Sequence, residues 1–271
     1  MFHPAGPTFW ELAEQCLSST EHGYDLLAPK FDATPFRTPD EILDGMAKYL
    51  GPPQSIDAAL DVCCGTGAAI RILRPLCRKR VAGIDFSRGM LEIARAHWPL
   101  PYPRVLSVPV HPCEVARQHH PTAHGEPAVE LVHGNVLDME FREEFDLAVT
   151  VGSLGHILSQ DEPRFIERIA AALKPGGRFA FVTAEMPPIW SPRYLLSRGF
   201  NAAMHVRNAI KRPPFIMFYL TFLLPQARRL LEERGFEVTV HDDVFGGRFR
   251  VLKVVVATKR ATEHSNRPSA A

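Results

Sequence analysis

The chain lacks net charge. Lys and Arg number 31 against 30 Asp and Glu, leaving +1 over 271 residues. Such a balance gives no basic footprint of the kind a phosphate backbone requires, so no nucleic-acid partner is expected. Long apolar runs are also missing. The most apolar stretch, residues 214–224, falls far short of the ~20 residues needed to cross a bilayer, so no membrane span is expected. The opening residues carry neither a charged n-region nor a long h-region. Together with an odd cysteine count (Cys16, Cys63, Cys64, Cys77, Cys113), this leads to the expectation of reduced thiols in a cytoplasmic protein. None of the cysteines has metal-type C-x-x-C spacing. Histidines gather in and around a proline-rich stretch at 98–128: His97, His111, His119, His120, His124 and His133. They lack a helical pair with an intervening acid. The stretch reads as an exposed insertion, and no metal is expected.

What is present is enough apolar material, 46% of the residues, for one large α/β domain with insertions. Its organising stretch is residues 59–74. An apolar run ends in Asp61-Val62, the small-residue turn Cys63-Cys64-Gly65-Thr66-Gly67 follows, and an apolar-periodic helix is expected next. Gly65 and Gly67 let a ligand approach the backbone and permit positive φ. The unpaired N–H groups of the expected helix face the same space. A dinucleotide fingerprint would need a third glycine three residues on. Ile70 stands there instead, which weakens an NAD(P)-dependent oxidoreductase reading.

The rest of the chain falls into order around this turn. Phe9, Leu12, Ala13 and Cys16 have helical spacing. Thr38, Pro39 and Glu41 predict a helix over 39–50 with Thr38 as N-cap. Arg80–Asp85 reads as a second strand ending in an acid, followed by Phe86-Ser87-Arg88-Gly89-Met90. Residues 129–134 read as a third strand leading into Asn135 and Val136. Phe145–Thr150 reads as a fourth, leading into Val151, Gly152, Ser153 and His156. A helix over 165–173 is expected to end at Lys174-Pro175-Gly176-Gly177, before a fifth strand over 178–185. A helix closed by Gly235 precedes two further strands, 236–241 and 249–257.

These motifs resemble those of class I S-adenosylmethionine (SAM) methyltransferases, in particular the small-molecule ubiquinone/menaquinone type. Asp61, Gly65 and Gly67 match the acid and two of the alternating glycines of the first motif, and Cys63 stands where the first glycine usually does. The resemblance covers about residues 55–186 and 225–258. It implies a Rossmann-like seven-stranded sheet with an antiparallel last strand. It assigns SAM binding to the turn residues Asp61, Cys63, Cys64, Gly65, Thr66 and Gly67. Asp85 would accept the ribose hydroxyls, with Phe86, Ser87 and Met90 around it. Gly134, Asn135 and Val136 would lie by the adenine, and Val151, Gly152 and Ser153 by the reactive sulfonium. Tyr24 and Arg37 belong to a segment, Gly23–Asp32 and the turn after it, that folds over the site as a lid in related enzymes.

The expected division is an N-terminal helical lid at 1–52, a SAM-binding core at 53–186, a substrate cap at 187–224, the end of the core at 225–258 and a disordered tail at 259–271. The expected activity is methyl transfer to a small, partly apolar acceptor. A base is needed only for a hydroxyl or protonated-nitrogen acceptor, and location makes His156, Glu185, His205 and Tyr219 its candidates. The alternatives are a SAM-binding protein without methyl transfer and other chemistry on the same fold. The aromatic and Met-rich cap leaves a homodimer face open as a second reading of 187–224.

Overall fold

The computed structural model describes residues 4–98, 105–107 and 126–261. His111, His119, His120, His124 and Cys113 lie outside the described residues, as do most of the 98–128 insertion and the tail from 262 onward.

The N-terminal region is helical. α1 (Phe9–Leu17) begins with a reciprocal capping box between Thr8 and Glu11. α2 (Thr20–Leu27) is capped by Ser19 and runs into a 3₁₀ stretch, Ala28–Ala33. α3 (Asp40–Ala47) is shorter than the 39–50 expected. Its N-cap is Pro39, without a side-chain cap. Pro39 takes the extended conformation of an N-cap, with φ −61° and ψ 142°, so Thr38 is left outside the helix.

The core alternates strand and helix: β1 (Ile56–Val62), α4 (Ile70–Leu73), β2 (Cys77–Asp85), α5 (Arg88–His97), β3 (Val105–Ser107), β4 (Ala128–His133), β5 (Phe145–Thr150), α6 (Glu162–Ala172) and β6 (Leu173–Ala184). After β6 come α7 (Pro192–Ile210), α8 (Leu224–Glu233), β7 (Phe236–His241) and β8 (Leu252–Lys259). The sheet order is β3-β4-β2-β1-β5-β6-β8-β7. β8 runs antiparallel between β6 and β7, and the other pairings are parallel. This is the expected seven-stranded arrangement with an antiparallel last strand. The three-residue β3 is added at its edge by the insertion. Among the described residues no helix is long and apolar enough to cross a membrane.

Side chains on successive strand residues leave opposite faces, so the sheet buries two layers. Leu60, Val62, Phe179 and Phe181 pack with α6 and α8 on one side. Ala59, Val149 and Ala180 pack with α3, α4 and α5 on the other.

Two elements depart from expectation. The helix after the glycine turn is a single turn followed by a 3₁₀ stretch, Arg74–Leu76. Pro75 lacks the N–H that would continue it, so there is no long helix here whose N-terminus could hold an anion. The Lys-Pro-Gly-Gly segment is also not a helix cap. α6 ends at Ala172 with Leu173 already extended. The register of β5 against β6 jumps from Leu173 to Arg178, so Lys174–Gly177 form a bulge at the foot of β6. Gly176 takes φ +77° there. Lys174 Nζ bonds Asp146 Oδ1 at 2.8 Å, and Asp146 Oδ2 accepts from the N–H groups of Asp57 and Ala58 at 3.0 and 2.9 Å. The segment ties three strands at the edge away from the ligand side. The last strand begins at Leu252 rather than 249, because Gly247–Phe249 make a 3₁₀ turn.

Candidate active site

At the carboxyl ends of β1, β2 and β5 a cavity opens, with about 770 Å³ of empty space that partly joins solvent. In open α/β sheets this edge is where ligands sit. Its floor is the turn after β1. Gly65 has φ +53°, and a side chain there would enter open space. Its N–H donates to Asp85 Oδ2 at 2.8 Å. Cys63 also sits in the left-handed region at φ +59°, so it keeps a glycine's conformation at a cost on the order of 1 kcal/mol. Gly67 does different work. A Cβ there would meet the Trp98 indole at 3.0 Å, and Trp98 Nε1 donates to its carbonyl at 3.0 Å. Gly67 therefore packs against α5's end and does not line the cavity.

Two buried carboxylates face this space. Asp85, at the end of β2, also accepts from Ser87 N–H at 2.9 Å. Burial pushes its carboxyl up to about 6, against the opposing pull of the backbone N–H groups of Ser87, Gly65 and Phe86. Asp61, 2% exposed, lines the same cavity, and its Oδ2 has no hydrogen-bond partner. Burial, and then the charge of Asp85, hold it well above the usual carboxylate range. An unpartnered buried carboxylate oxygen is costly unless a ligand donor meets it.

The N-terminal region forms the wall. Tyr24, Phe31, Phe36, Arg37 and Thr38 line the cavity beside Leu43, Met90, Val151, Gly152, Ser153 and His156. Asp25 holds this wall to the core: its Oδ1 accepts from Ser87 Oγ at 2.6 Å and from Gly89 N–H at 2.9 Å. Asp32 Oδ1 accepts from Thr66 Oγ1 at 2.8 Å. Tyr24 Oη and His156 Nε2 are 2.8 Å apart, and His156 Nδ1 is 2.6 Å from the carbonyl of Ile216. A carbonyl only accepts, so Nδ1 carries the proton and Nε2 receives the Tyr24 hydroxyl. Burial lowers the His156 pKa and keeps this tautomer neutral.

Residues 60–181 match the family described as a methyltransferase domain. The match runs from within β1 to within β6, somewhat under half of the chain. Two curated relatives are both 2-phytyl-1,4-naphtoquinone methyltransferases. The one from Nostoc sp. is 29% identical over 134 residues, 48% of this chain and 48% of its own length. The one from Thermosynechococcus vestitus is 27% identical over 255 residues, 87% of this chain and 97% of its own length. The chain thus spans about half the length of the first relative and nearly all of the second. Among solved structures, DhpI in complex with SAH superposes with a TM-score of 0.58 at 18% identity, covering 93% of this chain and 99% of that one. That likeness is one of fold.

The expected residues Tyr24, Arg37, Asp61, Cys63, Cys64, Gly65, Thr66, Asp85, Phe86, Met90, Val151, Gly152, Ser153 and His156 share one cavity. The others do not line it. Ser87 is fully buried and caps α5 by accepting from Met90 N–H. Gly134 donates to the Asp85 carbonyl. Asn135 is exposed, and its side-chain oxygen accepts from Leu137 N–H at 2.9 Å. Val136 belongs to the core.

Two catalytic candidates are corrected by position. Glu185 leaves β6 on the solvent side and pairs with Lys253 of the antiparallel neighbour at 3.1 Å. Tyr219 is 42% exposed. Its backbone is clasped by the Asn201 amide and its ring packs on Phe200. His205 is exposed against Phe218. No residue of 187–224 lines the cavity. Phe215 stacks behind Tyr24 and Ile216 holds His156, so the segment buttresses the wall from outside.

Sequence reading missed Asp25, Asp32, Phe31, Phe36 and Thr38. Asp25 stands next to Tyr24 in a segment already singled out. Nothing local signals that its carboxylate reaches residues 62 and 64 positions away in sequence.

Proposed function

We propose that this chain transfers a methyl group from SAM to a small, flat, partly apolar acceptor of the quinol class. The observation that carries the reading is the pair of buried carboxylates, Asp61 and Asp85, facing one cavity with an acceptor oxygen left unpartnered. They fit SAM, which is rich in hydroxyl and ammonium donors. Asp85 would accept the ribose hydroxyls and Asp61 a cationic donor, with the open face of Gly65 giving room for close approach. Phe86 and Met90 would sandwich the adenine. Bound there, SAM supplies an electrophilic methyl on a sulfonium. The acceptor class is suggested by the naphtoquinone relatives and by the apolar wall of Phe31, Phe36, Leu43 and Val151.

What the chain's own residues do follows from their placement. The wall excludes water and holds donor and acceptor in line. A quinol must lose a proton to become a good nucleophile. Its hydroxyl would give that proton to Tyr24 Oη while the Tyr24 proton passes to His156 Nε2, leaving an imidazolium held by the Ile216 carbonyl. The positive charge that enters with the sulfonium thereby leaves on His156, and the enclosed charge does not grow.

Two measurements test this in sequence. Titration with SAM, S-adenosylhomocysteine and NADH should show binding of the first two and none of the third. Binding of NADH instead would sink the cofactor assignment. Labelled SAM should then transfer its methyl to a naphthoquinol lacking one ring methyl. Binding without transfer to any quinol or phenol would leave a SAM-binding protein and overturn the acceptor class. Tyr24→Phe and His156→Gln should each cut turnover about 10²-fold or more with SAM affinity little changed, the scale of a lost acid–base group. Unaltered turnover in both would remove the proton path.

A further inference from the structure

We infer that the outer face of α7 docks the protein onto an anionic lipid surface. The helix is amphipathic the wrong way round for a soluble fold. Tyr194, Ser197, Asn201, Met204 and Asn208, at alternating spacings of three and four, face the protein. Of the 19 residues only Met204 is buried. The inward contacts are polar. Asn201 exchanges two bonds with the Tyr219 backbone, and Asn208 does the same with Phe215. The apolar residues point outward. Leu195 is 55% exposed, Leu196 75%, Val206 60% and Ile210 82%, and Trp190 just before the helix is 83% exposed. Ala202, Ala203 and Ala209 are exposed between them. A surface helix normally turns its apolar stripe to the core, and a continuous exposed patch marks an interaction site.

The charge pattern selects the partner. Residues 186–231 contain no Asp or Glu, although acids and bases balance over the whole chain. Arg193, Arg198, Lys211 and Arg212 flank the stripe, all exposed, and none forms an ion pair among the described residues. Arg207 is separate: its guanidinium is spent on the carbonyls of Cys16, Ser18, Lys211 and Pro213. Neighbouring α1 adds exposed Phe9, Trp10 and Leu17, along with Glu14 and with Glu11, which Lys30 neutralises. An apolar stripe with tryptophan at its edge and bases on its flanks is the composition of a helix that lies in a lipid interface. Each such base adds attraction to anionic headgroups.

The test needs no methyl-transfer activity. The full chain is sedimented with vesicles of equal parts phosphatidylglycerol and phosphatidylcholine, and with vesicles of phosphatidylcholine alone. Binding to the first, weakened by salt and by leaving out the anionic lipid, is expected. Leu196→Glu with Ile210→Glu, and separately Arg193→Glu with Arg198→Glu, should each reduce partitioning at least about tenfold, the effect of losing one to two kcal/mol of interface attraction. SAM affinity should be kept in both as a check of folding. No binding to anionic vesicles at low salt would overturn the inference. So would binding that neither variant weakens. A concentration-dependent dimer that Leu196→Glu with Ile210→Glu abolishes would overturn it too, because a second copy would then cover the face.

Discussion

Asp85 concentrates the electrostatics of the site in one carboxyl, and its sign can be worked out. Burial raises its folded value to about 6, so the folded chain holds this proton more tightly than the unfolded chain does. Without ligand, the group's contribution to stability is full below the ordinary carboxylate range and is lost as pH rises through about 6. Ligand hydroxyls reverse the preference, because the ionised form accepts two donors. SAM affinity should therefore be full above about 6 and fall as pH drops below it. Melting curves across this range, with and without S-adenosylhomocysteine, should show opposite pH trends that Asp85→Asn flattens. Parallel trends would mean Asp85 does not meet the ligand. Asp85→Ala should weaken SAM binding by about 1.5–3 kcal/mol, the worth of hydrogen bonds to a charged group, measured by titration. At this scale most of the cavity was legible, because Asp61, Gly65 and Asp85 lie at the strand ends that the pattern already marks. Glu185 and Tyr219 were misplaced because a sequence position past a strand end does not say which way the side chain turns. Lys253 on an antiparallel neighbour and the Asn201 clasp decided that instead.

The elements follow the sequence pattern except where one residue overrides it. Pro75 reduces the expected helix after the glycine turn to one turn, and Pro39 takes the cap from Thr38. The Lys-Pro-Gly-Gly segment looked like a helix stop and is a strand bulge, since its consequence lies across the sheet at Asp146. That role is testable. Asp146 pairs with Lys174 and takes the N–H groups of Asp57 and Ala58, and its carboxyl is held below the usual range, the Lys174 ammonium and the two N–H groups outweighing burial. A lowered value contributes stability above the ordinary carboxylate pKa, and that contribution is lost as pH falls through the folded value. Asp146→Ala leaves the two N–H groups without their acceptor, and should cost about 1–3 kcal/mol in urea unfolding at neutral pH, with the gap to wild type closing in acid. Gly65→Val acts at the other end of β1. A β-branched residue is strained at φ +53° and fills the ligand's approach, so titration should find no SAM binding. Normal binding in this variant would move the cofactor elsewhere.

At the scale of the whole molecule, the layers around the cavity are tied to one another. The N-terminal wall covers the turn after β1, and α7 with residues 213–218 covers the wall. Arg207 joins α7 to the α1–α2 junction, and Phe215 and Ile216 grip Tyr24 and His156. The wall and the outer segment are thus cross-tied and would open together, a coupling between stretches some 190 residues apart that no local pattern announces. The core retains the wall through Asp25 on Ser87 and Gly89 and Asp32 on Thr66. Neither latch includes a residue of the proton path, so the latches can be cut without touching the chemistry. Asp25→Ala removes the acceptor of two hydrogen bonds at the N-terminus of α5 and should favour the open form. Amide exchange should then speed up in residues 20–37 and in 213–218 together, while β1 and β5 keep their protection. S-adenosylhomocysteine bound in the cavity should restore protection to both segments in the wild type, and less completely in the variant. KM for SAM should rise more than kcat falls, because the loss is of closure rather than of chemistry. Faster exchange in residues 20–37 alone would show the two segments to be independent and refute the coupled opening.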